Sequence, residues 1–216
     1  MDDATLKQNV VDELAWRPDI DSAHIGVTAD KGVITLSGYV PSYAQKHEAE
    51  QAAKGVAGVR GVAEELQVRF PGDTSTKDDD EIAARAVNSL AWHAFVPKDS
   101  VKVMVENGVV SLTGEVRWQF ERHAAEDAVR RLYGVIDVVD NIKLKAQPQP
   151  SDVRSRIESA LKRRAKIDSN AIRVSVSDGT VTLEGTVDSW AAHDTAQDAA
   201  WSAPGVRFVQ DRLSVL

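Results

Sequence analysis

The sequence predicts an α+β protein built of three tandem αββαβ domains, each a small three-stranded mixed sheet packed by two helices. Three observations carry that expectation. A glycine-bracketed heptapeptide occurs three times, as GVITLSG at 32–38, GVVSLTG at 108–114 and GTVTLEG at 179–185. A Gly-Val pair follows its first glycine by 26 residues in every copy: Gly58-Val59, Gly134-Val135 and Gly205-Val206. An aliphatic triplet ends 18 residues before that glycine each time: Leu6/Val10/Leu14, Ile82/Ala86/Leu90 and Val153/Ile157/Leu161. Anchors that keep register without a gap mark a repeated structural unit.

The triplets sit at i, i+4 and i+8 among charges, the spacing of one helix face, so each unit opens with an amphipathic helix. Alternating segments follow, Ile25-Gly26-Val27, Val101-Lys102-Val103 and Ile172-Arg173-Val174, leading to Lys31-Gly32, Asn107-Gly108 and Asp178-Gly179. A two-residue type I′ turn needs positive φ at both central residues, which Asn-Gly and Asp-Gly supply, so this is a hairpin. In its second strand Ile34 and Leu36, with Val110/Leu112 and Val181/Leu183, are expected to face the helices, while Thr35, Ser111 and Thr182 face away. The closing Gly38, Gly114 or Gly185 is expected to free the chain to turn into a second helix. That helix carries small residues at helical spacing, Ala49/Ala52/Ala53/Val56, Ala125/Ala128/Val129/Leu132 and Ala196/Ala199/Ala200/Ala203, and should stop at Gly58, Gly134 and Gly205. Val62/Leu66/Val68, Val138/Ile142/Leu144 and Val209/Leu213/Val215 read as the third strand.

The domains are expected at 2–70, 78–146 and 149–216, joined by linkers 71–77 and 147–148. The stretch 71–80 is polar and acidic with Pro and Gly, and 146–152 carries two prolines. The run Asp78-Asp79-Asp80-Glu81 is read as a set of favourable partners for a helix N-terminus in preference to a cation site. A unit of about 63 residues is near the lower limit for an independent core, so the units are expected to gain from one another.

The G-V-hydrophobic-x-L-x-G strand, the Gly-Val pair and the segment Val139-Asp140-Asn141-Ile142 resemble the BON domain, an αββαβ module of bacterial osmotically inducible and envelope-associated proteins. Units 1 and 3 depart from it by placing Glu65 and Arg212 where unit 2 has Asn141. The resemblance implies a non-enzymatic interaction module, engaging phospholipid surfaces or making stress-protective protein contacts.

Composition is that of an ordinary globular protein, with 43% hydrophobic and 27% charged residues. Absence of cysteine removes disulfides and thiolate chemistry. The five histidines, His24, His47, His93, His123 and His193, form no metal or catalytic motif, so no catalytic residue, metal or cofactor is assigned. His47 and His123 are repeat-equivalent and are expected a domain apart on helix surfaces. The glycine brackets lack the Lys-Ser/Thr of a phosphate loop. A net charge of -7 disfavours nucleic acid. The acidic start MDDATLKQNVVDELAW and the lack of a long apolar run lead to the expectation of a cytoplasmic protein, free or peripherally bound to a membrane.

Charge is distributed unevenly, with seven basic against eleven acidic residues in 1–70, ten against thirteen in 71–147, and nine against nine in 148–216. The last third concentrates Arg154, Arg156, Lys162, Arg163, Arg164 and Lys166 around one helix, a candidate contact for anionic headgroups. The competing reading is a solvated face with cations at its C-terminal turn. Trp16 and Trp92 are repeat-equivalent and are expected to pack over the end of the first helix. Trp118, Trp190 and Trp201 stand where other copies have Ser42/Ser189, Tyr43/Gln119 and Lys54/Arg130. They are therefore candidates for a lipid anchor, a protein contact or a contact between units. The preferred partner is an anionic phospholipid surface, with Trp118 as the inserted anchor. The alternative is a protein-interaction or chaperone-like module binding polypeptide.

Overall fold

The computed structural model describes residues 2–70, 79–145, 152–164 and 170–215. Both predicted linkers, Asp78 and Lys166 lie outside the described residues. Unit 1 runs α1 (Asp3–Trp16), a one-turn 3-10 segment (Ser22–His24), β1 (Ile25–Asp30), β2 (Val33–Val40), α2 (Tyr43–Gly55) and β3 (Gly61–Val68). Unit 2 repeats it as α3 (Asp79–Trp92), β4 (Val101–Glu106), β5 (Val109–Val116), α4 (Gln119–Arg130) and β6 (Asp137–Leu144). Unit 3 follows as α5 (Val153–Lys162), β7 (Ile172–Ser177), β8 (Thr180–Val187), α6 (Trp190–Trp201) and β9 (Phe208–Val215).

Each sheet is mixed and three-stranded, its middle strand antiparallel to the first and parallel to the third. The connections dictate this: a two-residue turn reverses direction, and a crossover helix restores it. Lys31 and Gly32 have φ of 50° and 81°, and the Asn107-Gly108 and Asp178-Gly179 pairs adopt the same left-handed geometry. The first helix holds this turn from below. The Asp3 carboxylate accepts from the N–H groups of Lys31 (2.8 Å) and Gly32 (3.0 Å), and Asp79 does the same for Asn107 (2.7 Å) and Gly108 (2.9 Å). Those bonds hold the Asp3 carboxyl below the usual range. The acidic helix start thus serves a distant hairpin as well as its own helix.

The apolar triplets, the aliphatic pairs of the middle strands and the alanines of the second helices are buried together, giving one core per unit. Two expectations about glycine change. Gly38, Gly114 and Gly185 lie inside the middle strands, which run two residues further, and do not lead into the second helix. Gly58, Gly134 and Gly205, with φ of 91°, 99° and 82°, occupy the turn after a helix that has already ended at Gly55, Arg130 or Trp201.

The units pack on one another through the start of their second helices. Tyr43 of unit 1 packs against the core of unit 2, where burial first, then the carboxylates of Asp137 and Glu126, push its phenol up to about 12. Trp190 of unit 3 packs against the core of unit 1. Tyr43, Gln119 and Trp190 are repeat-equivalent, and at the third junction the aromatic is Trp201 of unit 3, which lines a shared cleft with Gln119.

Candidate functional site

The predicted cations of unit 3 do not form one face. Arg154 pairs with Glu158 at 2.7 Å and Arg156 with Asp152 at 2.7 Å, both exposed i, i+4 pairs. Arg156 holds the Asp152 carboxyl below the usual range. Arg154 and Lys162 border a cleft of about 520 Å³ beside β7 and β8. Arg163 borders a cleft with the end of α6, while Arg164 lines a cavity with Trp118 and Trp201. Lys162, Arg163 and Arg164 are exposed and form no ion pair among the described residues. These three cations remain electrostatically available.

Trp118 is fixed as the N-cap residue of α4, since the Glu121 carboxylate accepts from the N–H groups of Arg117 (2.7 Å) and Trp118 (3.1 Å). Beside it Phe120 is 55% exposed and Phe95 63%, their rings 6.1 Å apart and nearly perpendicular, with His93 6.1 Å from Phe95. Trp118, Phe120, Trp201, Arg164, His123 and Asp198 border a cavity of about 520 Å³ at the junction of units 2 and 3. The exposed ring of Phe120 and the half-buried Trp118 share this cavity with Arg164, which has no ion pair among the described residues, so an apolar body stands with a charge, as in interfacial side chains.

Sequence reasoning missed Phe95 and Phe120. The comparison that singled out Trp118 would have found them, because unit 1 has Asp19 and Ala44 at those places and unit 3 has Lys166 and Ala191. Trp16 and Trp92 are a correction of another kind: they are 82% and 89% exposed and close nothing. Each lies two residues beyond the last buried residue of its helix, Leu14 or Leu90, about 200° around the axis and so facing solvent. Trp190 and Trp201 are partly buried in packing, the first on unit 1 and the second on its own unit. Neither stands free as an anchor.

His47 and His123 are a further correction. They line one central cleft of about 410 Å³, together with Asp194, Asp127 and Asp198, where the second helices of all three units meet. Closing the units together brings equivalent positions to one place, which a linear array would keep apart. No group of three or more His, Asp or Glu able to hold a metal occurs among the described residues. Burial, then the Arg130 guanidinium, holds the His47 imidazole below its usual pKa. A depressed value means that the unfolded chain takes up the proton first, so His47 costs stability as pH falls below about 6.5. Replacing His47 with Gln is expected to flatten the decline in melting temperature between pH 7 and pH 5; an identical decline in the variant would count against this assignment.

Residues 2–69, 78–146 and 150–216 each match the BON domain. The chain is 38% identical over 154 residues to osmotically-inducible protein Y of Escherichia coli, covering 67% of this chain and 74% of that protein. It is 30% identical over 145 residues to outer membrane lipoprotein DolP of Haemophilus influenzae, covering 66% and 75%. It is 28% identical over 141 residues to the 21 kDa hemolysin of Actinobacillus pleuropneumoniae, covering 64% and 72%. A relative that is by name an outer membrane lipoprotein overturns the expectation of a cytoplasmic protein. The acidic opening residues are α1 of a packed unit, so their character reflects the needs of the fold and reports no compartment.

Proposed function

Because the chain belongs to the BON domain family in each of its three units, we propose that it is a stress-related binding module without catalytic activity that docks on anionic phospholipid surfaces. The observation that carries the reading is the junction of units 2 and 3, where Trp118 and Phe120 line one cavity with Arg164, Phe95 lies against Phe120, and the exposed Arg163 precedes Arg164 in the chain. Kinship with an osmotically inducible protein and with an outer membrane lipoprotein is in keeping with it.

Docking at this patch asks the rings to enter the headgroup region while the guanidinium groups stay with the phosphates. Each basic residue near such a surface contributes about 1 kcal/mol. The net charge of -7 works against a uniform approach, so binding depends on orienting this junction toward the membrane.

Co-sedimentation of the full chain with phosphatidylglycerol and phosphatidylcholine vesicles tests the reading. Anionic vesicles are expected to bring down the protein at low salt and to lose it as salt rises. Arg163→Glu with Arg164→Glu should weaken binding about tenfold or more, at about 1 kcal/mol for each lost cation. Phe120→Ser should weaken it without changing the salt dependence. Equal recovery on both vesicle types would sink the proposal.

The cavity bordered by Trp118, Phe120 and Trp201 favours a second reading, in which these rings take apolar side chains of an unfolded polypeptide. Binding of a reduced, unfolded protein that survives high salt and is lost in Phe120→Ser would select it.

A further inference from the structure

Each unit ties its second helix to its third strand with one ion pair, at repeat-equivalent positions. In unit 1 Lys46 meets Glu64 at 2.8 Å, in unit 2 Arg122 meets Asp140 at 2.5 Å, and in unit 3 His193 meets Asp211 at 2.7 Å. The acid's second oxygen accepts a strand N–H two residues on, from Leu66, Ile142 (2.8 Å) or Leu213 (2.9 Å). The device is the same three times; only in unit 3 can its cation lose its charge near neutral pH.

The geometry around His193 calls for the charged form. Nε2 faces Asp211 Oδ2 at 2.7 Å while Nδ1 faces Asp194 Oδ1 at 3.2 Å. A neutral imidazole donates from one nitrogen only, so it would leave a lone pair against a carboxylate oxygen. The side chain is only 8% exposed, which leaves little water to relieve that contact. Asp194 on α6 and Asp211 on β9 are the carboxylates that act on the ring, and Gln197 donates to the same Asp211 oxygen at 3.0 Å. From β8, Leu183 lies in register with Asp211. No charged group of β8, α5 or α2 pairs with the ring among the described residues. The ring also meets Trp190 edge to face, centroids 4.9 Å apart, and Trp190 is the residue packed on the core of unit 1.

We propose that His193 is a pH-sensitive latch: protonated, it ties α6 to β9 and holds Trp190 on unit 1, and its deprotonation loosens unit 3 and its junction with unit 1. This goes beyond the lipid reading and does not depend on it. The Asp194 carboxylate, and then that of Asp211, raise the His193 pKa against the burial that lowers it. A raised folded-state value gives stability that is complete below the unfolded pKa of about 6.5 and is lost as pH rises through the folded value. Units 1 and 2 have a lysine and an arginine at the equivalent place, residue types that do not switch near neutral pH, and so lack this latch.

Hydrogen exchange of the full chain, corrected for intrinsic rates, measures the latch. Opening of 190–201 and 208–215 is expected to rise between pH 6 and pH 8.5, by at most about tenfold per pH unit, the limit for one proton. Equivalent segments of unit 2 should stay level. His193→Lys, which installs unit 1's own solution, should abolish the rise. The histidine ring resonances of the unaltered protein give an independent measurement: His193 should titrate above about 6.5, and Asp211→Asn should lower its midpoint. Titration of His193 at or below that value, or a rise in opening that persists in His193→Lys, overturns the proposal.

Discussion

Alanine in place of Gly114 is expected to unfold the second unit, at a cost of about 4 kcal/mol or more. Gly114 lies within β5 at φ 144°, opposite Val101, where the chain entering β4 crosses it closely enough that a Cβ would overlap the carbonyl oxygen of Ser100. The obstacle is backbone, and it is tied in place because Glu115 N–H donates to that same oxygen at 3.2 Å. No rotamer change relieves the overlap, so strand and entering chain must separate. Gly38 and Gly185 meet the carbonyls of His24 and Ala171 in the same way, which explains why the closing glycine recurs in every copy. A core of this size has little stability to spare. Denaturant titration of the full chain should therefore lose one unit's amplitude at much lower denaturant, while Ser111→Ala on the outer face changes stability by less than about 0.5 kcal/mol. A two-state curve for Gly114→Ala matching that of the unaltered protein would show that the crossing yields.

Removing the aromatic knobs is expected to separate the units. Tyr43→Ala takes an aromatic ring out of the core of unit 2, and Trp190→Ala takes one out of the core of unit 1. Both rings are partly buried, so each change should cost about 2–3 kcal/mol, below the 3–5 of a full aromatic truncation. The loss falls on the contact between units, and the secondary structure within each should survive. Small-angle scattering should report a larger radius of gyration for the double variant, with far-UV circular dichroism unchanged. Tyr43→Phe should keep the compact form, since the ring does the packing and its phenol, pushed up to about 12, stays protonated in ordinary buffers. An unchanged radius of gyration in the double variant would mean that these knobs do not hold the units together.

How much of the candidate site could be read beforehand depended on whether a residue answers to its own element or to another unit. Trp118 was separable from Trp16 and Trp92 because the copies differ there, and Phe95 and Phe120 carry the same signature. Arg163 and Arg164 were visible as charge, but not the pairing of Arg154 with Glu158 and of Arg156 with Asp152 that sets them apart. The exposure of Trp16 and Trp92 was implicit in helical geometry, two positions past a buried leucine.

The sequence by itself determined the unit: its helices, its hairpin with positive φ at both turn residues, its buried aliphatic pairs and its three copies. These follow from local rules, a period of 3.6 or 2 and the backbone freedom of a turn, all acting over a few residues. Only the tertiary structure decided that the copies close on one another, that Tyr43 and Trp190 lie in neighbouring cores, and that His47 and His123 share a cleft. Those outcomes rest on contacts between side chains tens of residues apart, set by shape and volume complementarity, which leave no periodic trace along the chain.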